Sequence, residues 1–244
     1  MSPLVLAQHV TKWYGPRRAV TDVSFGIEAG EIVGLLGPNG SGKSTIFNLI
    51  SGTLRPSEGS VRFADAEIAG LPAHEICRRG IGRTFQIPRP FRKLSLVENV
   101  ALAAFYGKAG ALDRAQARER AQEALGLVGL PAEPAATVDG LGAAALKKLE
   151  LARALATRPN VLLLDESLGG LDALEMERAA DLLLDIRRRL GITIVWVEHI
   201  MGVLMRVVDR VIVLDHGEKI FEGLPADAAR DPKVAEVYLG AHAR

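Results

Sequence analysis

The stretch GPNGSGKST, residues 37–45, satisfies the spacing G-x-x-x-x-G-K-[ST] at every required position. Each residue type in it suits contact with phosphate. Gly37, Gly40 and Gly42, with Pro38, Asn39 and Ser41 between them, let the backbone wrap tightly, so that successive N–H groups point inward at phosphate oxygens. A helix beginning near Lys43 aims its positive end at the same place. Lys43 would neutralise the β- and γ-phosphates, and the Ser44 hydroxyl, followed by Thr45, would ligate Mg²⁺. The dinucleotide fingerprint G-x-G-x-x-G fails, because its last position is Thr45. A second signal is NVLLLDE, in which four apolar residues run into Asp165 and Glu166. Asp165 would hold Mg²⁺ through a water, and Glu166 would orient and polarise the water that attacks the γ-phosphate. A strand ending in Asp-Glu is as often structural as chemical by itself; the phosphate loop decides for chemistry.

These residues need a particular scaffold. EIVGLLG reads as the strand before the loop, and KSTIFNLISG as the helix after it, closed by Gly52. LVLAQHV and AVTDVSFGIEAG read as further strands, and VRFADAEIAG as a strand pair. From about residue 92 to 155 the chain turns rich in Ala, Leu and Arg. There Ala117, Ala121, Leu125 and Val128 recur at helical spacing, which predicts a helical lobe. Buried-strand runs return at NVLLLDE, ITIVWVEH and RVIVLDHG, with the helix ALEMERAADLLLDIRRRL between the first two. Strand–helix–strand alternation with continuous apolar strands predicts an α/β fold whose parallel sheet is covered on both faces. Ligands of such sheets bind at the carboxyl ends of the strands, where Asp165 and Glu166 fall.

Composition narrows the class. The 244 residues carry 30 basic and 29 acidic side chains, and the net charge of +1 predicts no long-range attraction to nucleic acid. The single cysteine, Cys77, excludes an internal disulfide, and five scattered histidines give no zinc spacing. The N-terminal segment lacks the basic start and apolar run of a signal peptide. The apolar runs VLLL and ITIVWV are too short to cross a bilayer. These features predict a cytoplasmic chain that can still dock on a membrane protein.

Taken together, the motifs resemble the ATP-binding-cassette (ABC) ATPases over nearly the whole chain. The resemblance implies a P-loop NTPase core with a parallel sheet, an N-terminal antiparallel β subdomain and an inserted helical subdomain. Its parts would be residues 1–91, 92–155 and 156–244 of a single domain. It implies ATP and Mg²⁺ as ligands and ATP hydrolysis as the activity. Tyr14 falls where the family stacks an aromatic ring on adenine, although Trp13 is adjacent. Gln86, in RTFQ, matches the glutamine that senses Mg²⁺ and the attacking water. His199 matches the histidine that contacts the γ-phosphate, and GGLD, ending at Asp172, looks like the loop that crosses the dimer interface.

The likeness narrows further, because GIGRTFQIPRPFRKLSLVENV and the tail ADAARDPKVAEVYLG look like the ATPases of branched-chain and hydrophobic amino acid importers. Urea and short-amide importers share that pattern. The implied partners are transmembrane permease subunits, a second ATPase subunit and, indirectly, a periplasmic or extracellular substrate-binding protein. The implied location is the inner face of the cell membrane. The segment after Gln86 would meet the permease, with Phe91 as an apolar anchor. A soluble cassette, a lipid-exporter ATPase and a slow ATP-dependent clamp are the alternatives.

One segment departs from the pattern. The family signature reads Leu-Ser-Gly-Gly-Gln and is followed by basic residues and a helix. Leu141, Lys147, Lys148 and LELARAL hold that register here, so Gly142 replaces the Ser, Ala144 the second Gly and Ala145 the Gln. Ser167, where the family usually has Pro, is a smaller departure. In the family the signature caps the ATP of the opposite subunit. The chain thus keeps what its own ATP requires and lacks part of what it would donate. That asymmetry favours a heterodimer with a paralogue whose signature is intact; a homodimer with two weakened sites and a decaying gene copy are the alternatives.

Overall fold

A computed structural model describes residues 2–108, 112–166, 171–198 and 201–239. In chain order the first elements are β1 (Val5–Tyr14), β2 (Arg17–Ile27), β3 (Ile32–Leu36), α1 (Lys43–Ile50), β4 (Glu58–Phe63) and β5 (Ala66–Glu67). Next come α2 (Ala73–Arg79), β6 (Ile81–Arg83), α3 (Leu96–Tyr106), α4 (Arg114–Leu127), α5 (Ala143–Ala156), β7 (Val161–Asp165) and α6 (Ala173–Leu190). The last are β8 (Thr193–Val197), α7 (Met201–Val207), β9 (Arg210–Asp215), β10 (Glu218–Gly223), α8 (Pro225–Ala228) and α9 (Pro232–Leu239). These elements fall into two compact units, residues 1–73 with 193–244, and residues 74–192.

The first unit contains two kinds of sheet. β2, β1, β4 and β5 pair antiparallel in that order. The β4–β5 hairpin turns on Ala64 and Asp65, both at positive φ, which matches the right-handed twist of the flanking strands. β3 runs parallel to both β8 and β9, and β10 closes antiparallel on β9. Every residue of β3 and β8 is buried, as two-sided coverage of a parallel sheet requires. Apolar runs of this kind carry the strand signal that the sequence showed.

In the second unit β6 lies parallel to β7, with Arg83 opposite Leu163. α3, α4 and α5 pack on one another, and the predicted α4 positions Ala117, Ala121, Leu125 and Val128 are all buried. α3, α4 and α6 each start with a reciprocal capping box, Ser95 with Glu98, Asp113 with Gln116, and Asp172 with Glu175. α5 starts at Gly142 and has no side-chain cap. The segment between β6 and α3 is held by the buried Asn99. Its Nδ2 donates to the carbonyls of Phe91, Leu94 and Ser95, and its Oδ1 accepts from the Phe91 N–H at 2.8 Å. That grip leaves the Phe91 ring half exposed, with the Arg153 guanidinium 5.4 Å from its centroid.

Candidate functional site

In the first unit the phosphate loop joins β3 to α1. Gly37 has φ +145°, and a Cβ there would stand 2.2 Å from the Leu214 carbonyl oxygen. Gly42, the residue before α1, has φ +107°, and its Cβ would stand 2.8 Å from the Ala19 carbonyl oxygen. At Gly37 and Gly42 only glycine satisfies both demands, left-handed backbone and closeness to the carbonyl of a neighbouring segment, so this part of the loop's shape is written into its sequence. Lys43 is buried and donates from Nζ to the Gly37 carbonyl at 2.6 Å and the Pro38 carbonyl at 2.9 Å. The Ser41 hydroxyl, 1% exposed, has no hydrogen-bond partner, although buried polar atoms normally do. An orphaned hydroxyl and a lysine folded back on carbonyls are what a loop built around an anion shows. Ser44, Asn39 and Gly40 face solvent. Tyr14 ends β1 with its ring 46% exposed, and Lys12 Nζ stands 5.8 Å from its centroid. The adjacent Trp13 carries Arg18 over its ring at 4.7 Å.

In the second unit β7 delivers Asp165 buried at its C-terminal end. Arg83 Nη2 donates to Asp165 Oδ2 at 2.7 Å, and the Asp165 N–H donates to Thr84 Oγ1 at 3.3 Å. Glu166 follows with φ +47°, a conformation that non-glycine residues rarely take and that concentrates at functional sites. The Gln86 amide donates to its carboxylate, and Lys147 Nζ donates to its backbone carbonyl at 3.3 Å. Gln86 and Asp165 both line a cavity of about 420 Å³ together with Phe85, Ile87 and Arg153. Gln86 and the two carboxylates, predicted to act together, do meet. His199 and Ser167 lie outside the described residues.

The signature segment lies at the start of α5. Gly142 has φ −72° and ψ 173°, and no atom lies within 4 Å of where its Cβ would stand. With Ala143 and Ala144 following, neither glycine of the signature is present. Asp172 has a local role, since its side chain accepts from the Glu175 N–H at 2.8 Å. Three contacts were not foreseen: Arg83 on Asp165, Lys147 on Glu166, and Tyr238 on the phosphate loop. Burial pushes the Tyr238 phenol up, while a hydrogen bond from the Gly37 backbone pulls the other way. Arg83 sits in RTFQ, but its partner Asp165 lies 82 residues away, so no local signal marks the pair.

Among the described residues no cluster of three or more His, Cys, Asp or Glu could hold a metal ion. A Mg²⁺ ion, which keeps several waters and takes phosphate oxygens, needs no such cage. The exposed Ser44 hydroxyl, the Gln86 amide and the Asp165 carboxylate are hard oxygen donors of the type it takes.

Comparison with known proteins places the chain in a family. Residues 20–169 match the family model described as ABC transporter, and residues 218–244 match that of the branched-chain amino acid ATP-binding cassette transporter. The high-affinity branched-chain amino acid transport ATP-binding protein LivG of Salmonella typhimurium is 34% identical, over 98% of both chains. The lipopolysaccharide export system ATP-binding protein LptB of Acidithiobacillus ferridurans is 36% identical, also over 98% of both. Among solved structures, the ADP conformation of MJ1267, an ATP-binding cassette of an ABC transporter, superposes with a TM-score of 0.88. It is 29% identical over 98% of this chain and 99% of its own.

Proposed function

Because the chain belongs to the ABC transporter family of ATP-binding cassettes, we propose that it drives an importer for branched-chain or other hydrophobic amino acids. The observation that carries nucleotide binding is the phosphate loop, in which Gly37 and Gly42 leave no room for a Cβ and the buried Ser41 hydroxyl lacks a partner. In this reading Lys43 and the loop N–H groups of residues 37–45 hold the β- and γ-phosphates of ATP. Tyr14 stacks on adenine; Trp13 has Arg18 over its ring. Glu166 orients the attacking water and takes up its proton, and His199 contacts the γ-phosphate. Ser44 and Gln86, with Asp165 through a water, would hold Mg²⁺, which when bound would supply charge neutralisation on the phosphoryl oxygens. The Gln86–Glu166 bond keeps the carboxylate aimed before the water arrives.

The importer reading is supported by LivG and by the C-terminal match over residues 218–244. Among the described residues no helix is long and apolar enough to cross a membrane, so the proposed seat is peripheral, on the inner face, against permease subunits. The half-exposed Phe91, on a loop fixed by Asn99, suits that contact. The proposed second ATPase is a paralogue with an intact signature, and the substrate-binding protein acts from the far side of the membrane. LptB favours a second reading, an exporter of lipid-like cargo. Co-expression with each candidate permease, followed by ATP-driven leucine uptake into vesicles, separates the two. Uptake that requires Lys43 supports the importer. Co-purification only with lipid-export membrane subunits, without uptake, refutes it.

A further inference from the structure

Two consecutive side chains at the end of β7 are each tied to the strand segment beside them, Asp165 to Arg83 and Glu166 to Gln86. The proposed function uses the second tie and leaves the first unexplained. Arg83 and Asp165 are 11% and 10% exposed, so the pair is largely withdrawn from water. Arg83 meets Asp165 through one nitrogen on one oxygen, Nη2 on Oδ2 at 2.7 Å, and its guanidinium lies 5.2 Å from the Phe85 ring. A carboxylate this buried needs a cation, and a strand-borne arginine supplies one continuously. Resting on the proposed role of Asp165 as a Mg²⁺ residue, we propose that Arg83 is the counter-ion of Asp165 in the metal-free protein. It stabilises the carboxylate until metal arrives with nucleotide, and it sets how strongly nucleotide binding depends on that metal. A neutralised carboxylate attracts a divalent cation less than a bare one, so Arg83 holds the metal-free and metal-bound states closer in energy. Arg83 is in this account a positioning residue, acting through Asp165.

The test measures binding of a fluorescent, non-hydrolysable ATP analogue in EDTA and in excess Mg²⁺, for the full chain. Arg83→Met removes the charge and keeps the stem; Arg83→Lys keeps the charge. The ratio of the two Kd values should widen by about tenfold in Arg83→Met, in line with the worth of one charged hydrogen bond. It should stay within about twofold of wild type in Arg83→Lys, since the cation remains. The Tm of Arg83→Met should fall in EDTA and recover with Mg²⁺ and analogue. Should the Met variant fail to fold, Arg83→Gln, uncharged but still a donor, is held to the same widening. An unchanged ratio in a wild type and variant that both bind the analogue overturns the role of Arg83 alone. A wild type that binds the analogue in neither condition overturns the nucleotide reading and this proposal with it.

Discussion

Gly142→Ser tests the account of the signature segment with little disturbance to the fold. The backbone at Gly142, φ −72° and ψ 173°, is extended and open to any residue, and nothing lies within 4 Å of the new Cβ. The hydroxyl would cap α5 by accepting from the N–H of Ala144 or Ala145, a bond that helix now lacks. Serine exceeds glycine at an N-cap by only a few tenths of a kcal/mol, so for a chain of this size Tm should move by about 1 °C. The functional effect should be much larger. A hydroxyl can accept the cap bond and still donate its own proton to a phosphate oxygen. Such a charged hydrogen bond is worth about 1.5–3 kcal/mol, or about ten- to a hundredfold in turnover at a site closed by this segment. The assay is steady-state ATP hydrolysis against protein concentration, for the chain alone and then mixed with the paralogue, beside thermal unfolding of the same samples. A gain of about tenfold or more with Tm almost unchanged supports the account. Turnover that stays flat while Tm rises by several degrees would refute it, because the serine would then be serving the helix alone.

Glu166→Gln should lower turnover by about a hundredfold or more while ATP still binds, measured as hydrolysis beside equilibrium binding. Gly37→Ala should abolish nucleotide binding and lower Tm, since its Cβ would meet the Leu214 carbonyl at 2.2 Å; unchanged binding by titration calorimetry would contradict the loop geometry. Burial raises the Glu150 carboxyl above its ordinary value of 4.5, against the opposing pull of Arg153, whose Nη1 lies 2.9 Å from Glu150 Oε2. The folded chain therefore holds that proton more tightly than the unfolded chain, and stability falls as pH rises from 4.5 through the raised value. Glu150→Gln should remove that part of the pH dependence, read from Tm across a pH series, and an unaltered slope would assign it to other groups.

How legible each part was depends on where its information resides. β3, β7, β8 and β9 announce themselves because strands covered on both faces carry continuous apolar runs. α4 shows through its spacing, and the phosphate loop shows through its motif, in which Gly37 and Gly42 leave no room for a side chain. β6 was hidden, since three residues reading Ile-Gly-Arg carry no period. α2 was hidden in the same way, with only Ile76 fully buried. Arg83 and Lys147 were invisible as site residues because their partners are fixed by pairing and packing. Arg83 lies 82 residues from Asp165, and nothing in its neighbourhood in sequence points there.

The asymmetry between what this chain keeps and what it lacks has a physical counterpart in where the residues sit. Several of the parts proposed to serve its own ATP are embedded. Gly37 and Gly42 press against carbonyls, Lys43 is buried, Arg83 is paired with Asp165, and Glu166 is gripped by Gln86 and Lys147. Exchange at several of these positions costs folding free energy as well as function. Gly142 and Ala143, by contrast, are exposed at a helix start, with open space where the Gly142 Cβ would be. Loss of a serine there costs the fold a few tenths of a kcal/mol, so the fold does not resist it. Only function can hold a serine at that position. Its absence beside the residues proposed to hold nucleotide supports the proposed reading of this chain as one member of an unequal pair. A chain losing function altogether has no reason to spare the exposed Ser44 and Asn39, where exchange would cost the fold as little.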